Sequence, residues 1–106
     1  MKKISASHIL IMHEGSKDSR SDISKKEAKA LAEDIYEKLK KGTGFFKDMA
    51  INHSDCSSAS YGGSLGEFGK GVMVAEFEKK AFSLKVNEIS KPIETEFGFH
   101  IIKRDA

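Results

Sequence analysis

The chain has 106 residues, 39% hydrophobic and 32% charged, with a formal net charge of +2. That length makes one domain, residues 1–106, with enough core to fold without disulfide or metal staples. The near balance of charge gives no footprint for nucleic acid, no stretch approaches membrane-spanning length, and the lack of Trp excludes modules that stack ligands on indole.

Cys56 is the only cysteine, so no intrachain disulfide forms. A lone thiol fits a reducing, cytoplasmic setting, and a place within a longer or exported polypeptide stays open. Lys2 and Lys3 before Ile4 suggest a signal peptide at first sight. Ser5, Ser7, His8 and His13 interrupt the run, which is too short for an apolar leader core.

In chain order, Ile4 to Met12 reads as a strand. Its period places His8 on one face with Ala6, Leu10 and Met12. Residues 13–22 form a polar loop. Ser24-Lys25-Lys26-Glu27 is a capping box that starts a helix. Ala28, Leu31, Ala32, Ile35 and Leu39 make its apolar stripe, and Gly42 stops it. Thr43 is placed to cap a short second helix, with Phe46, Met49, Ala50 and His53 on the inner side. Asn52 to Gly63 reads as a serine-rich loop, Ser64 to Phe68 as a short strand, and Gly69-Lys70-Gly71 as a corner. Met73 to Leu84 reads as a third helix with Val74, Phe77 and Ala81 inward. A terminal hairpin follows: Ile89 to Thr95 leads in, Glu96-Phe97-Gly98 turns, and Phe99 to Arg104 leads out. Strands at both ends with helices between them describe an α+β domain.

The two terminal strands each carry a histidine, His8 and His100, among apolar residues. If the strands pair, the two imidazoles stand side by side, about 5 Å apart at Cβ, and each helps fix the other's tautomer. The alternative is two unrelated half-buried histidines. Cys56 with His8 or His100 has the residue types of a nucleophilic dyad, but no surrounding stretch matches a thiol-protease signature. His8, His13, His53, Cys56 and His100 lack the spacing of a zinc site. Leu65, Met73 and Phe77 are large, apolar and flanked by glycines. They read either as the walls of a peptide pocket or as plain core.

The ordered segments Ala-Ser-His-Ile-Leu at 6–10, Ser-Asp-Cys-Ser-Ser at 54–58, Gly-Gly-Ser-Leu-Gly-Glu-Phe at 62–68, Gly-Lys-Gly-Val-Met at 69–73, Glu-Phe-Glu-Lys-Lys-Ala-Phe at 76–82 and Glu-Phe-Gly-Phe-His-Ile-Ile at 96–102 together resemble the parvulin family of peptidyl-prolyl cis/trans isomerases. The resemblance runs from Ile4 to Arg104. It implies a four-stranded antiparallel sheet surrounded by three to four helices, and rotation about X–Pro bonds without covalent chemistry, metal or cofactor. It matches His8 and His100 to the family's paired histidines, Cys56 to its cysteine-or-aspartate position and Thr95 to the neighbouring threonine. It matches Leu65, Met73, Phe77 and Phe97 to the walls of the proline pocket. The implied partners are proline-containing peptides and proteins, bound by a monomer that engages neither nucleic acid nor membrane. A rival role is a chaperone-like module that binds extended Pro-containing segments with little catalysis.

Some family members require phosphoserine or phosphothreonine before proline and carry a clustered arginine pair after the first strand. Here the corresponding loop offers Lys17 and Arg20, spaced apart among Glu14, Asp18 and Asp22. A dianion is best held by converging donors, so phosphate dependence is not the expectation.

Overall fold

Apolar residues on both faces of the first strand demand a central position, because an edge strand would leave part of that surface in water. The computed structural model, which describes residues 3–17, 19 and 21–106, puts the strand there. The elements run β1 (Lys3–Ile11), α1 (Lys25–Lys41), α2 (Phe46–His53), a 3-10 helix (Ser57–Tyr61), β2 (Ser64–Gly69), α3 (Ala75–Ser83), β3 (Ile93–Thr95) and β4 (Gly98–Arg104). The four strands form one antiparallel sheet in the order β2-β1-β4-β3. The α+β reading and the implied four-stranded sheet are both met. Asp18 and Arg20 of the 13–22 loop lie outside the described residues.

Strand period divides the core in two. Ile9 and Ile11 of β1, with Phe99 and Ile101 of β4, pack on Ala28, Ala32, Ile35 and Leu39 of α1 and on Phe46 and Ala50 of α2. The opposite face carries Ile4, Ala6 and Ile102, which pack on Phe68 and on Phe77, Ala81 and Leu84 from α3 and its end. His8 and His100 belong to this second face by the same alternation. No helix among the described residues is long and apolar enough to cross a membrane.

Helix α1 is bounded as its sequence dictates. Ser24 Oγ accepts from the Glu27 amide at 3.1 Å, and Glu27 Oε1 accepts from the Ser24 amide at 3.2 Å. Gly42 closes the helix at φ 75°. Five local readings are corrected. Thr43 does not cap α2: its hydroxyl donates to Lys38 O at 3.0 Å and satisfies the end of α1, while Phe45 takes the cap position of α2 without a side-chain acceptor. His53 ends α2 on its exposed side. The stretch read as loop holds the end of α2 and the 3-10 helix, which serine-rich composition does not signal. Helix α3 starts two residues late because Val74 is its cap, and only Ile93–Thr95 of the long lead-in pairs as β3, with Ile89 making an isolated bridge to Lys103.

One glycine ties the fold to the site. Gly63 sits at φ 85°, and its carbonyl accepts the His8 amide at 2.9 Å. A Cβ there would collide with the His8 carbonyl oxygen and crowd Ala50. Gly63→Ala therefore combines a left-handed backbone penalty with overpacking against β1, a cost of about 2 kcal/mol or more. Thermal unfolding should show Tm lower by roughly 10 °C. An unchanged Tm would mean that this approach does not constrain β1.

Candidate active site

The register of β1 against β4 sets His8 opposite Ile102 and His100 opposite Leu10. The histidines are thus diagonal neighbours on one face, not directly opposite as a simple pairing predicts. Diagonal Cβ atoms are farther apart, but two imidazole rings span the gap. Nδ1 of His8 lies 3.1 Å from Nδ1 of His100, with ring centroids 5.3 Å apart and planes inclined by 21°. Phe77 of α3 closes over both, edge to face, at 5.5 Å from His8 and 5.4 Å from His100. Both histidines are buried.

Thr95, the last residue of β3, carries the polar chain onward. Its Oγ1 lies 2.7 Å from His100 Nε2 and accepts from the Phe97 amide at 3.2 Å. This end sets the direction of the whole chain. The Phe97 N–H can only donate. If Thr95 also accepted from His100, both the hydroxyl proton and the His8 Nε2 lone pair would be buried without a partner among the described residues, whereas a donating hydroxyl leaves only the His8 Nε2 proton so. The hydroxyl therefore donates to His100 Nε2. Neutral His100 then carries its proton on Nδ1 and donates it to His8 Nδ1, which places the His8 proton on Nε2. Burial, with His8 adding repulsion, pushes His100 down to about 3, consistent with the neutral ring that this assignment uses.

His8 Nε2 is buried and has no partner in hydrogen-bonding geometry. The half-buried Cys56 thiol lies near that ring. Attraction to His8 lowers the thiol from 9.0 to about 6 against the opposing effect of burial, with the neighbouring Ser58 assisting. Because Nε2 makes no formed bond, we read the His8–Cys56 attraction as one of proximity. The segment bearing Cys56 is clamped to the free end of β1. Ser54 Oγ accepts from the Leu10 amide at 3.0 Å, Asp55 Oδ2 accepts from the Met12 amide at 2.8 Å, and the Asp55 amide donates to Leu10 O at 2.7 Å.

Above this floor opens a cavity of about 610 Å³. Leu65, Met73, Phe77 and Phe97 line it together with His8, His100 and Cys56, so seven of the eight singled-out residues meet there. Thr95 lies buried behind His100 and does not reach the cavity. Leu10, Met12, Ser57, Val72 and Val74 also line it. Leu10 and Met12 were within reach of sequence reasoning, since they follow His8 at period two on its own face. Ser54 and Asp55 carried no local sign of their clamp, which depends on where α2 delivers them. Among the described residues no cluster of three or more His, Cys, Asp or Glu is arranged to hold a metal ion.

The chain is similar to proteins of a known family. A rotamase family model, described as the PPIC-type PPIASE domain, matches residues 8–106. The chain is 48% identical over 110 residues to peptidyl-prolyl cis-trans isomerase pin1 of Schizosaccharomyces pombe, covering 98% of this chain and 63% of that protein. It is 42% identical over 113 residues to Pin1 of Digitalis lanata, covering 97% of this chain and 96% of that one. Among solved structures, the peptidyl-prolyl isomerase ESS1 from Candida albicans superposes with a TM-score of 0.96 at 33% identity, over 98% of this chain and 63% of that chain.

Two titrations follow from the site. Folded His100 is depressed from 6.5 to about 3, so the unfolded chain binds more protons between those values. Its contribution to stability is present above pH 6.5 and lost as pH falls toward 3, with a slope of up to about 1.4 kcal/mol per pH unit. Urea unfolding of the parent and His100→Asn over that range should show the difference shrinking in acid; a constant difference would contradict a neutral buried ring. The Cys56 thiolate should appear by ultraviolet absorbance with a midpoint near 6, and His8→Ala should move it up toward 9.0. An unmoved midpoint would remove His8 as the cause.

Proposed function

The chain belongs to the parvulin family of peptidyl-prolyl cis/trans isomerases, the PPIC-type rotamases, and on that premise we propose that it turns X–Pro bonds by a non-covalent mechanism, as a single metal-free and cofactor-free domain acting on proline-containing peptides and proteins. One observation carries this reading: an apolar cavity of about 610 Å³ opens directly on the hydrogen-bonded pair of His8 and His100. Leu65, Met73 and Phe77 form the apolar enclosure for the proline ring. His8, His100 and Cys56 form the floor beneath the preceding carbonyl, and Thr95 holds His100 from behind. Slow X–Pro exchange limits folding in many proteins, so assistance to folding is the role that this activity fits.

The barrier to rotation is about 18–20 kcal/mol, because the C–N bond has partial double-bond character. The planar amide places negative charge on its carbonyl oxygen, and twisting removes that polarisation. A dry apolar enclosure therefore favours the twisted form relative to the planar one. An anion beside the oxygen strengthens the preference, and a thiol lowered to about 6 supplies it near neutral pH. No proton moves as the bond turns. The histidines hold the floor in one tautomeric arrangement; they exchange nothing with the substrate. Binding without catalysis would need the same cavity, yet it gives no reason for an anionic thiol at the floor.

A low thiol pKa also suits a nucleophile, and substitution separates the two roles. Cys56→Asp keeps the anion and removes the sulfur. It should retain a substantial share of kcat/KM, measured by exchange spectroscopy on a proline peptide, while Cys56→Ala loses more. Both variants equally inactive, with folding intact, would overturn the non-covalent mechanism. Absence of any exchange above background with the parent would overturn the isomerase reading.

A further inference from the structure

We propose that Glu78 is a positioning residue for isomerisation: its carboxylate staples the corner after β2, so that Val72 and Met73 stand as a wall of the cavity before the proline ring arrives. The proposal rests on the isomerase reading and adds to it a residue that reaches the substrate only through the wall it holds.

Both ends of the staple are on one residue. Glu78 lies in the first turn of α3, and its amide donates to the carbonyl of Val74, the cap of that helix, at 2.9 Å. Its side chain reaches further back, and Oε1 accepts from the Gly71 amide at 2.5 Å. Gly71 and Val74 are thereby fixed to the same residue. The two residues between them, Val72 and Met73, both line the cavity. A carboxylate accepting from an amide makes a charge-assisted bond, stronger than a neutral one. The preceding residue on α3 is Phe77, which closes over both imidazoles. Adjacent residues of one helix thus place the ring that covers the floor and the corner that walls the cavity.

The corner depends on this hold because little else supplies it. Gly71 has φ 90°, and the space where a side chain would stand is open, so no packing fixes the turn there. The amides of Val72 and Met73 donate no hydrogen bond among the described residues. Met73 packs against the cluster of Phe68 and Phe77, but Val72 is 66% exposed although it lines the cavity. Its apolar side chain stands in water and gains burial only against a bound ring. Lys70, on the other side of Gly71, adds one exposed cation 5.8 Å from the Phe82 ring centroid.

A wall held in advance need not be ordered at binding, and that lowers the cost of association. The effect falls on KM more than on kcat for a geometric reason. The ring stays gripped while the preceding carbonyl swings, so the wall meets the ring alike in the planar and the twisted state. Interactions equal in both states govern KM. The floor of His8, His100 and Cys56 takes no part in the staple.

The test compares the parent, Glu78→Ala and Glu78→Gln by exchange spectroscopy on one proline peptide over a range of concentrations, with hydrogen exchange of the Gly71 amide read on the same proteins. Glu78→Ala should raise KM about fivefold and change kcat by less than about twofold. Its Gly71 amide should exchange about tenfold faster than the parent's, or more. Glu78→Gln keeps a carbonyl acceptor at the same reach and should recover most of both effects. Gly71 exchange that is unmoved in Glu78→Ala overturns the proposal, as does faster exchange with KM unmoved, or a loss confined to kcat. If no peptide is isomerised, the isomerase reading fails separately, and the Kd of the peptide decides the staple: about fivefold weaker binding by Glu78→Ala supports it, and an equal Kd overturns it. Should Glu78→Ala not fold, the parent alone decides. Saturating peptide should slow its Gly71 exchange, and an unchanged rate overturns the proposal.

Discussion

The pairing of β1 with β4 is the constraint on which the rest of this molecule depends. Its register, with His8 opposite Ile102 and His100 opposite Leu10, does two things at once. It delivers Ile9, Ile11, Phe99 and Ile101 to the face covered by α1 and α2, and it delivers both histidines to the face covered by α3. A slip of one residue would exchange those faces on one strand, putting a histidine into the α1 side of the core and an isoleucine into the floor of the cavity. The hydrophobic pattern and the polar site therefore specify the same register.

Two buried imidazoles side by side are costly unless their protons are settled. Here the cost is met by direction. The Phe97 amide fixes the Thr95 hydroxyl, which fixes His100, which fixes His8. A chain anchored by a backbone N–H at one end has a single arrangement in which only the proton at its far end, on His8 Nε2, lacks an acceptor. The other end is His8 Nε2, which has no formed partner and lies beside Cys56. The electrostatic consequence appears at both His100 and the thiol: burial holds His100 neutral, while the cysteine is drawn toward its anion. This accounts for a floor that is polar, fixed in tautomer and negatively biased without requiring an exchangeable proton.

The cavity draws its walls from separate parts of the chain. β1 and β4 give the floor, the corner after β2 gives Val72 and Met73, α3 gives Phe77, and the β3–β4 turn gives Phe97. The 54–56 segment, clamped on the Leu10 and Met12 backbone, brings the thiol. Two of these loops are tied to strands by hydrogen bonds, the 54–56 segment to β1 and the β3–β4 turn to Thr95 of β3. Glu78 holds the corner after β2 through the Gly71 amide in the same way.

Much of this was legible in the residues themselves. The capping box at Ser24 and Glu27, the stop at Gly42 and the alternation through β1 are local signals, and local physics suffices to read them. His8, His100, Cys56, Leu65, Met73, Phe77 and Phe97 could be singled out because their ordered segments resemble one family, and the fold brings them to one cavity. What local signals did not carry was anything set by a partner distant in sequence. Thr43 has the residue type of a cap, but its hydroxyl turns back to Lys38 and satisfies an orphan carbonyl at the end of α1. The 3-10 helix after Cys56 has only serine-rich composition to announce it. The diagonal offset of the histidines, the clamp by Ser54 and Asp55, and the lowered thiol pKa arise only when strands 92 residues apart in the chain lie together. Period along a strand follows from the backbone alone; register between strands follows from how two covered faces fill their volume, and that is a property of the assembled core.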